Sequence, residues 1–118
     1  LSETIPTLLQ TSSKNGIICG DWNCITKLTD ATNNPQIKMS PSLKRLISTF
    51  GWKDSHVEVG QVQQFSRYYT LNDKAEATRL DRAYTFGQVI PIESILVPIP
   101  FSDHLALIVE VDYSGPRV

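Results

Sequence analysis

The stretch HLALIVEVDY, residues 104–113, decides how the fold is read. Leu105, Leu107, Val109 and Val111 fall at every second position and line one face, the period of a β-strand. The other face runs His104, Ala106, Ile108 and then turns acidic at Glu110 and Asp112. Both faces begin apolar, the pattern of a strand covered on each side over its first half. Working outward, WKDSHVEV (52–59), QQFSRYYT (63–70), TRLDRAYTF (78–86) and ESILVPI (93–99) are rich in aromatic and β-branched residues and separated by polar breaks. Each reads as a strand. GIIC (16–19) reads as a further, buried strand, with Cys19 as a small buried hydrophobe.

One helix is predicted over 41–50. Ser40 suits the N-cap, Pro41 the first helical position and Gly51 the C-terminal stop. Leu43, Leu46, Ile47 and Phe50 recur at i, i+3, i+4 and i+7 as one apolar stripe, with Lys44, Arg45 and Ser48 on the solvated side. A short helix is also predicted from near Pro6, carrying Leu8 and Leu9, and a loop at NNP (33–35). These elements assemble into an α/β or α+β chain: one mixed, mainly antiparallel sheet with helices on one face.

A chain of 118 residues buries roughly 65% of its unfolded surface, enough for a single domain over residues 1–118. The net charge of −1 argues against a protein that holds nucleic acid mainly by neutralising phosphates. It leaves room for an enzyme that meets phosphate through a metal ion and a few hydrogen bonds. The two cysteines, Cys19 and Cys24, match no zinc or redox spacing and point to a reducing, intracellular compartment, nuclear or cytoplasmic. No apolar run approaches the roughly 18 residues of a membrane span, and no membrane partner is expected.

Three polar clusters sit at strand margins: GDWN (20–23), RLDR (79–82) and FSDH (101–104). Alternation places Asp21 and Asn23 on one face at the end of the first strand, with Trp22 between them pointing into the core. It likewise places Arg79 and Asp81 together, opposite Leu80 and Arg82. Each cluster has a plainer reading. Gly, Asp and Asn end strands in turns, Ser-Asp makes a turn by itself, and Asp81 between two arginines suits a salt bridge. His56, in DSHVEV, has no polar company of that kind and reads as a packed or surface histidine.

In this order, GDWN, RLD and SDH resemble the second half of the endonuclease/exonuclease/phosphatase superfamily. PSLKRLISTFGWKDS (41–55) and FSRYYTLNDKAEATRLDRAYT (65–85) are similar to the endonuclease domains of non-LTR retrotransposon polyproteins. The resemblance spans Ile17 to Asp112. It implies a Mg²⁺- or Mn²⁺-dependent endonuclease that nicks DNA, its partner, during retrotransposition. Asp21 would orient or deprotonate the attacking water and Asn23 would bind the scissile phosphate. His104 would act on the transition state, Asp81 would hold that imidazole, and Asp103 would help bind the metal. The implied fold is half of a deoxyribonuclease-like four-layer sandwich, with this chain as its C-terminal portion. The family's earlier asparagine and metal-binding glutamate have no counterpart here, so weak or no activity is expected of the chain alone. The bare sheet face would be covered by the missing N-terminal half or by a second copy in a homodimer. Two alternatives stay open: a catalytically silent half-domain acting in self-association, and a phosphodiesterase acting on lipid phosphodiesters.

Overall fold

The computed structural model describes residues 14–32, 39–61 and 65–116. In chain order these form β1 (Gly16–Asp21), one 3-10 turn (Leu28–Asp30), α1 (Pro41–Phe50), β2 (Lys53–Asp54), α2 (Ser55–Glu58), β3 (Arg67–Leu71), β4 (Lys74–Thr78), β5 (Asp81–Phe86), β6 (Val89–Pro98) and β7 (Leu105–Tyr113). The arrangement is mixed α+β, mostly strands, and mainly antiparallel. The helix expected near Pro6 and the NNP loop lie outside the described residues.

The single sheet expected from the sequence is divided into three: β1–β5–β2, β3–β4 and β6–β7. The break between β4 and β5 falls at Arg79 and Leu80, inside the stretch TRLDRAYTF that reads as one strand. At this break the Arg79 guanidinium pairs with Asp30 and Asp54, and the chain leaves the β3–β4 ladder before joining β1. The break between β5 and β6 is a tight turn at Gly87 (φ 67°), where a Cβ would lie 2.1 Å from the Lys14 carbonyl oxygen. Asn72 and Asp73, both at positive φ, close the β3–β4 hairpin in two residues.

Helix α1 forms as its sequence dictates. Ser40 Oγ accepts the Leu43 N–H at 3.2 Å, Pro41 opens the first turn, and Gly51 takes the left-handed conformation (φ 63°) that stops the helix. Leu43 and Leu46 are buried, and together with Trp52 and Tyr84 they form the core on one face of the β1–β5–β2 sheet. Ile18, Trp22, Ile47, Phe50 and Phe86 pack around them. The aromatic rings interlock edge-on and offset, with Trp22 and Tyr84 centroids 5.3 Å apart and Trp52 and Phe86 6.3 Å apart. Ser40→Ala is expected to cost about 1 kcal/mol through loss of the cap, and Ser40→Gly a few tenths, read from urea denaturation midpoints.

WKDSHVEV and GIIC also depart from the sequence reading. WKDSHVEV is a strand only at Lys53–Asp54, after which Asp54 accepts the His56 N–H at 3.2 Å and starts α2. The Asp-Ser-His-Val-Glu order carries an N-cap signal that outweighs the alternation of Val57 and Val59. Cys19 is exposed rather than buried. Strand alternation sends Ile18 to the core, so Ile17 and Cys19 emerge on the opposite face of β1. Neither cysteine is in a disulfide. Strand β7 forms over the predicted residues, but Ile108 and Val111 are exposed while Leu105, Leu107 and Val109 are half-buried. Among the described residues β6 is its one strand partner, which leaves β7 less covered than its sequence implies.

Candidate active site

Antiparallel register sets the frame of the site. β1 and β5 pair from Gly16 opposite Phe86 to Asp21 opposite Asp81. Directly opposed residues project to the same face, so two carboxylates stand side by side at the end of the pair. That face is the one opposite the aromatic core. His104, at the entry to β7, reaches them from a third direction. Its Nδ1 lies 2.7 Å from Asp81 Oδ2 and its Nε2 4.0 Å from Asp21 Oδ2. An ionised carboxylate only accepts, so the Asp81 contact places a proton on Nδ1 and turns Nε2 toward Asp21 and the open side. One ligand atom from each of the three residues lies within 4.8 Å of the others.

The backbone around His104 is fixed from several sides. Its N–H donates to Ser102 Oγ at 3.0 Å, and a single antiparallel bridge joins it to Arg67. The Tyr68 N–H donates to the Asp103 carbonyl at 2.9 Å. A groove of about 700 Å³ opens beside the three residues. Asp21, Asp81 and His104 occupy its wall together with the apolar Ile17, Leu105 and Leu107.

Asn23 and Asp103 stand differently from the triplet. β1 ends at Asp21, and Asn23 takes a left-handed conformation (φ 55°) with its N–H donated to Asp21 Oδ1 at 2.8 Å. Asp21 and Asn23 are therefore joined by a turn, not by strand alternation, because asparagine tolerates the left-handed region that a strand excludes. The turn braces the Asp21 carboxylate through one oxygen. Trp22 packs against the core as expected, and its Nε1–H donates to the Arg82 carbonyl at 2.9 Å.

Asp103 directs its carboxylate to Arg67, with Oδ2 2.9 Å from Nε. The hydrogen bond from Arg67 holds the Asp103 carboxyl below the ordinary range. Asp103 is thus engaged by a cation and is not one of the three clustered residues.

Arg79 and Asp81, expected on one face, are separated. Arg79 turns to the core side, with Nε 3.0 Å from Asp30 Oδ1 and both terminal nitrogens on Asp54. Burial alone would lower its pKa, but the hydrogen bonds and charges of Asp54 and Asp30 raise it above the ordinary arginine value. Arg82 is buried on the same side, donating to the Tyr84 hydroxyl and to the Cys24 and Arg79 carbonyls. Among the described residues Asp81 pairs with His104 and with neither arginine. His56 is a packed residue, buried with Nδ1 2.7 Å from Ser94 Oγ.

The sequence did not single out Arg67, whose hold on Asp103 needs the β3 start and the 101–104 loop to meet in space. Nor did it single out Asp30 and Asp54, the partners of Arg79. No known family model matches the chain, and no curated protein matches it either.

The oxygen donors suit a hard divalent cation in kind, since Asp21 is exposed on the groove and Mg²⁺ binds through one or two carboxylates with water completing its shell. Asp81 is committed through one oxygen to His104, and Asp103 would have to leave Arg67 to join.

Proposed function

We propose that this chain acts in a metal-dependent phosphodiesterase of the endonuclease/exonuclease/phosphatase kind, nicking DNA as a non-LTR retrotransposon endonuclease does. The observation that carries this reading is the placement of Asp21, Asp81 and His104. Asp21 ends β1, Asp81 opens β5 and His104 immediately precedes β7, yet their polar atoms meet on one open groove. Two carboxylates directly opposed on neighbouring strands repel one another, a local arrangement that structure alone does not favour. A site handling a phosphodiester and its cation gives that arrangement a use.

In this reading Asp21, braced by the Asn23 turn, accepts a proton from the attacking water as its oxygen bonds to phosphorus, while the opposite P–O bond breaks and the departing sugar oxygen takes a proton from solvent water. His104 presents Nε2 to the groove, where it donates a hydrogen bond to a phosphate oxygen when protonated. Asp81 fixes its ring through Nδ1. Asn23, two residues on from Asp21, would hydrogen-bond the scissile phosphate. A bound Mg²⁺ would supply positive charge to the developing phosphorane oxygens. Asp103 would help hold it once released from Arg67, leaving Asp21 to take the water's proton. The order of elements fits half of a four-layer sandwich, with β1–β5–β2 as an inner sheet and α1 outside it. Exposed Ile17 and Cys19 beside the groove also fit the self-association reading, which sedimentation at micromolar concentration tests.

The direct test is nicking of supercoiled plasmid with Mg²⁺. The chain is expected to nick slowly, with Asp21→Ala and His104→Ala each lowering the rate by about 10²–10⁴-fold. Chelation should abolish the reaction. Equal nicking in both variants overturns the proposal, and no nicking with any divalent ion supports the catalytically silent half-domain in its place.

A further inference from the structure

We infer that Ser66 is the positioning residue that holds Asp81 and His104 in contact. Ser66 is fully buried, and its groups reach both halves of the pair. Its Oγ accepts the Leu80 N–H at 2.8 Å and the Asp81 N–H at 2.9 Å. Its carbonyl accepts the N–H of Leu105, the residue after His104, at 2.6 Å. Its own N–H donates to the Thr78 carbonyl at 2.9 Å, which ties it to the end of β4.

These bonds fall where regular pairing fails. Between β4 and β5 the chain breaks, and Leu80 and Asp81 point their N–H groups at Ser66 instead of at a strand. A hydroxyl has two acceptor lone pairs and takes both donors at one point. The backbone bearing Asp81 is thereby clamped to the residue whose carbonyl clamps the backbone bearing His104. The 2.7 Å contact between Nδ1 and the carboxylate spans two chain segments with a common anchor. Alanine at 66 would leave two buried N–H groups without an acceptor and release Asp81 from that anchor. The consequence for catalysis rests on the phosphodiesterase reading; the clamp itself does not.

Proton NMR of the imidazoles tests the clamp without any activity. The chain has two histidines, so the spectrum is simple, and His56 on Ser94 serves as a reference for the intact fold. The chain is expected to show a low-field Nδ1 proton for His104, assigned by its loss in Asp81→Asn. Ser66→Ala should lose that resonance while the His56 signals stay in place, and Ser66→Thr, which retains the hydroxyl, should restore it. If Ser66→Ala folds poorly, Ser66→Cys keeps the size with a weak acceptor and should show the same loss. A His104 resonance unchanged in Ser66→Ala or Ser66→Cys overturns the inference. Absence of the resonance from the unsubstituted chain overturns it as well, by showing that the pair does not form in solution. Failure of the phosphodiesterase reading is seen separately, as a clamped pair in a chain that does not nick DNA.

Discussion

Arg79→Ala is expected to destabilise the chain by about 3–5 kcal/mol, read as a fall in the urea midpoint at unchanged slope. The arginine is buried and holds two carboxylates, one of them, Asp30, almost fully buried itself. Removing the guanidinium strands both charges in an environment that solvates them poorly. Against a total stability of roughly 5–15 kcal/mol for a small domain, the loss is large enough to unfold much of the population. The same ion triad sits at the break between β4 and β5, next to Asp81, so the damage should spread to the groove. Replacing Arg79, Asp30 and Asp54 together with apolar residues of similar size should recover much of the stability, because no charge is then left alone. A shift below about 1 kcal/mol for Arg79→Ala would show that the triad is hydrated in solution.

Asp81→Asn should separate activity from stability. The amide keeps the shape of the side chain but brings an N–H₂ that can donate to Nδ1. That donation favours the tautomer with its proton on Nε2, the reverse of what the carboxylate imposes. Loss of the oriented ring is expected to lower plasmid nicking by at least about 10²-fold. Stability should hold or rise by a few tenths of a kcal/mol, since the substitution removes repulsion between directly opposed Asp21 and Asp81. A purely structural Asp81–His104 ion pair would behave in the opposite way, with a lowered denaturation midpoint and no specific loss of nicking. Measuring both quantities on one preparation decides between the two roles.

The value of these substitutions is that they act on different faces of one sheet. Arg79 and Arg82 belong to the core side, where burial makes every unpaired group expensive. Asp21 and Asp81 belong to the open side, where like charges stand together beside a groove. Within the four-residue segment RLDR the two arginines are buried and paired, while Asp81 stands on the groove beside Asp21.

The local elements were legible because they depend on neighbours in the chain. Ser40, Pro41, the Leu43–Leu46–Ile47–Phe50 stripe and Gly51 specify α1 by capping and periodicity, and the structure has it at those bounds. The alternation of 105–111 likewise specifies β7. His56 read as a packed or surface residue because nothing around it suggested chemistry, and it is packed. The sequence also named Asp21, Asp81 and His104 as members of polar clusters at strand margins. Their distances were not in it. Only the tertiary structure decided that Asp21 and Asp81 stand opposite one another, that Asp103 goes to Arg67, that Asn23 braces a turn, and that Arg79 leaves the face of Asp81. Three of these turn on contacts between residues about 25 to 60 positions apart, while the Asn23 turn is local, closed onto Asp21 two residues back. Periodicity fixes which way a side chain leaves its own strand; register and long-range ion pairs fix what it meets.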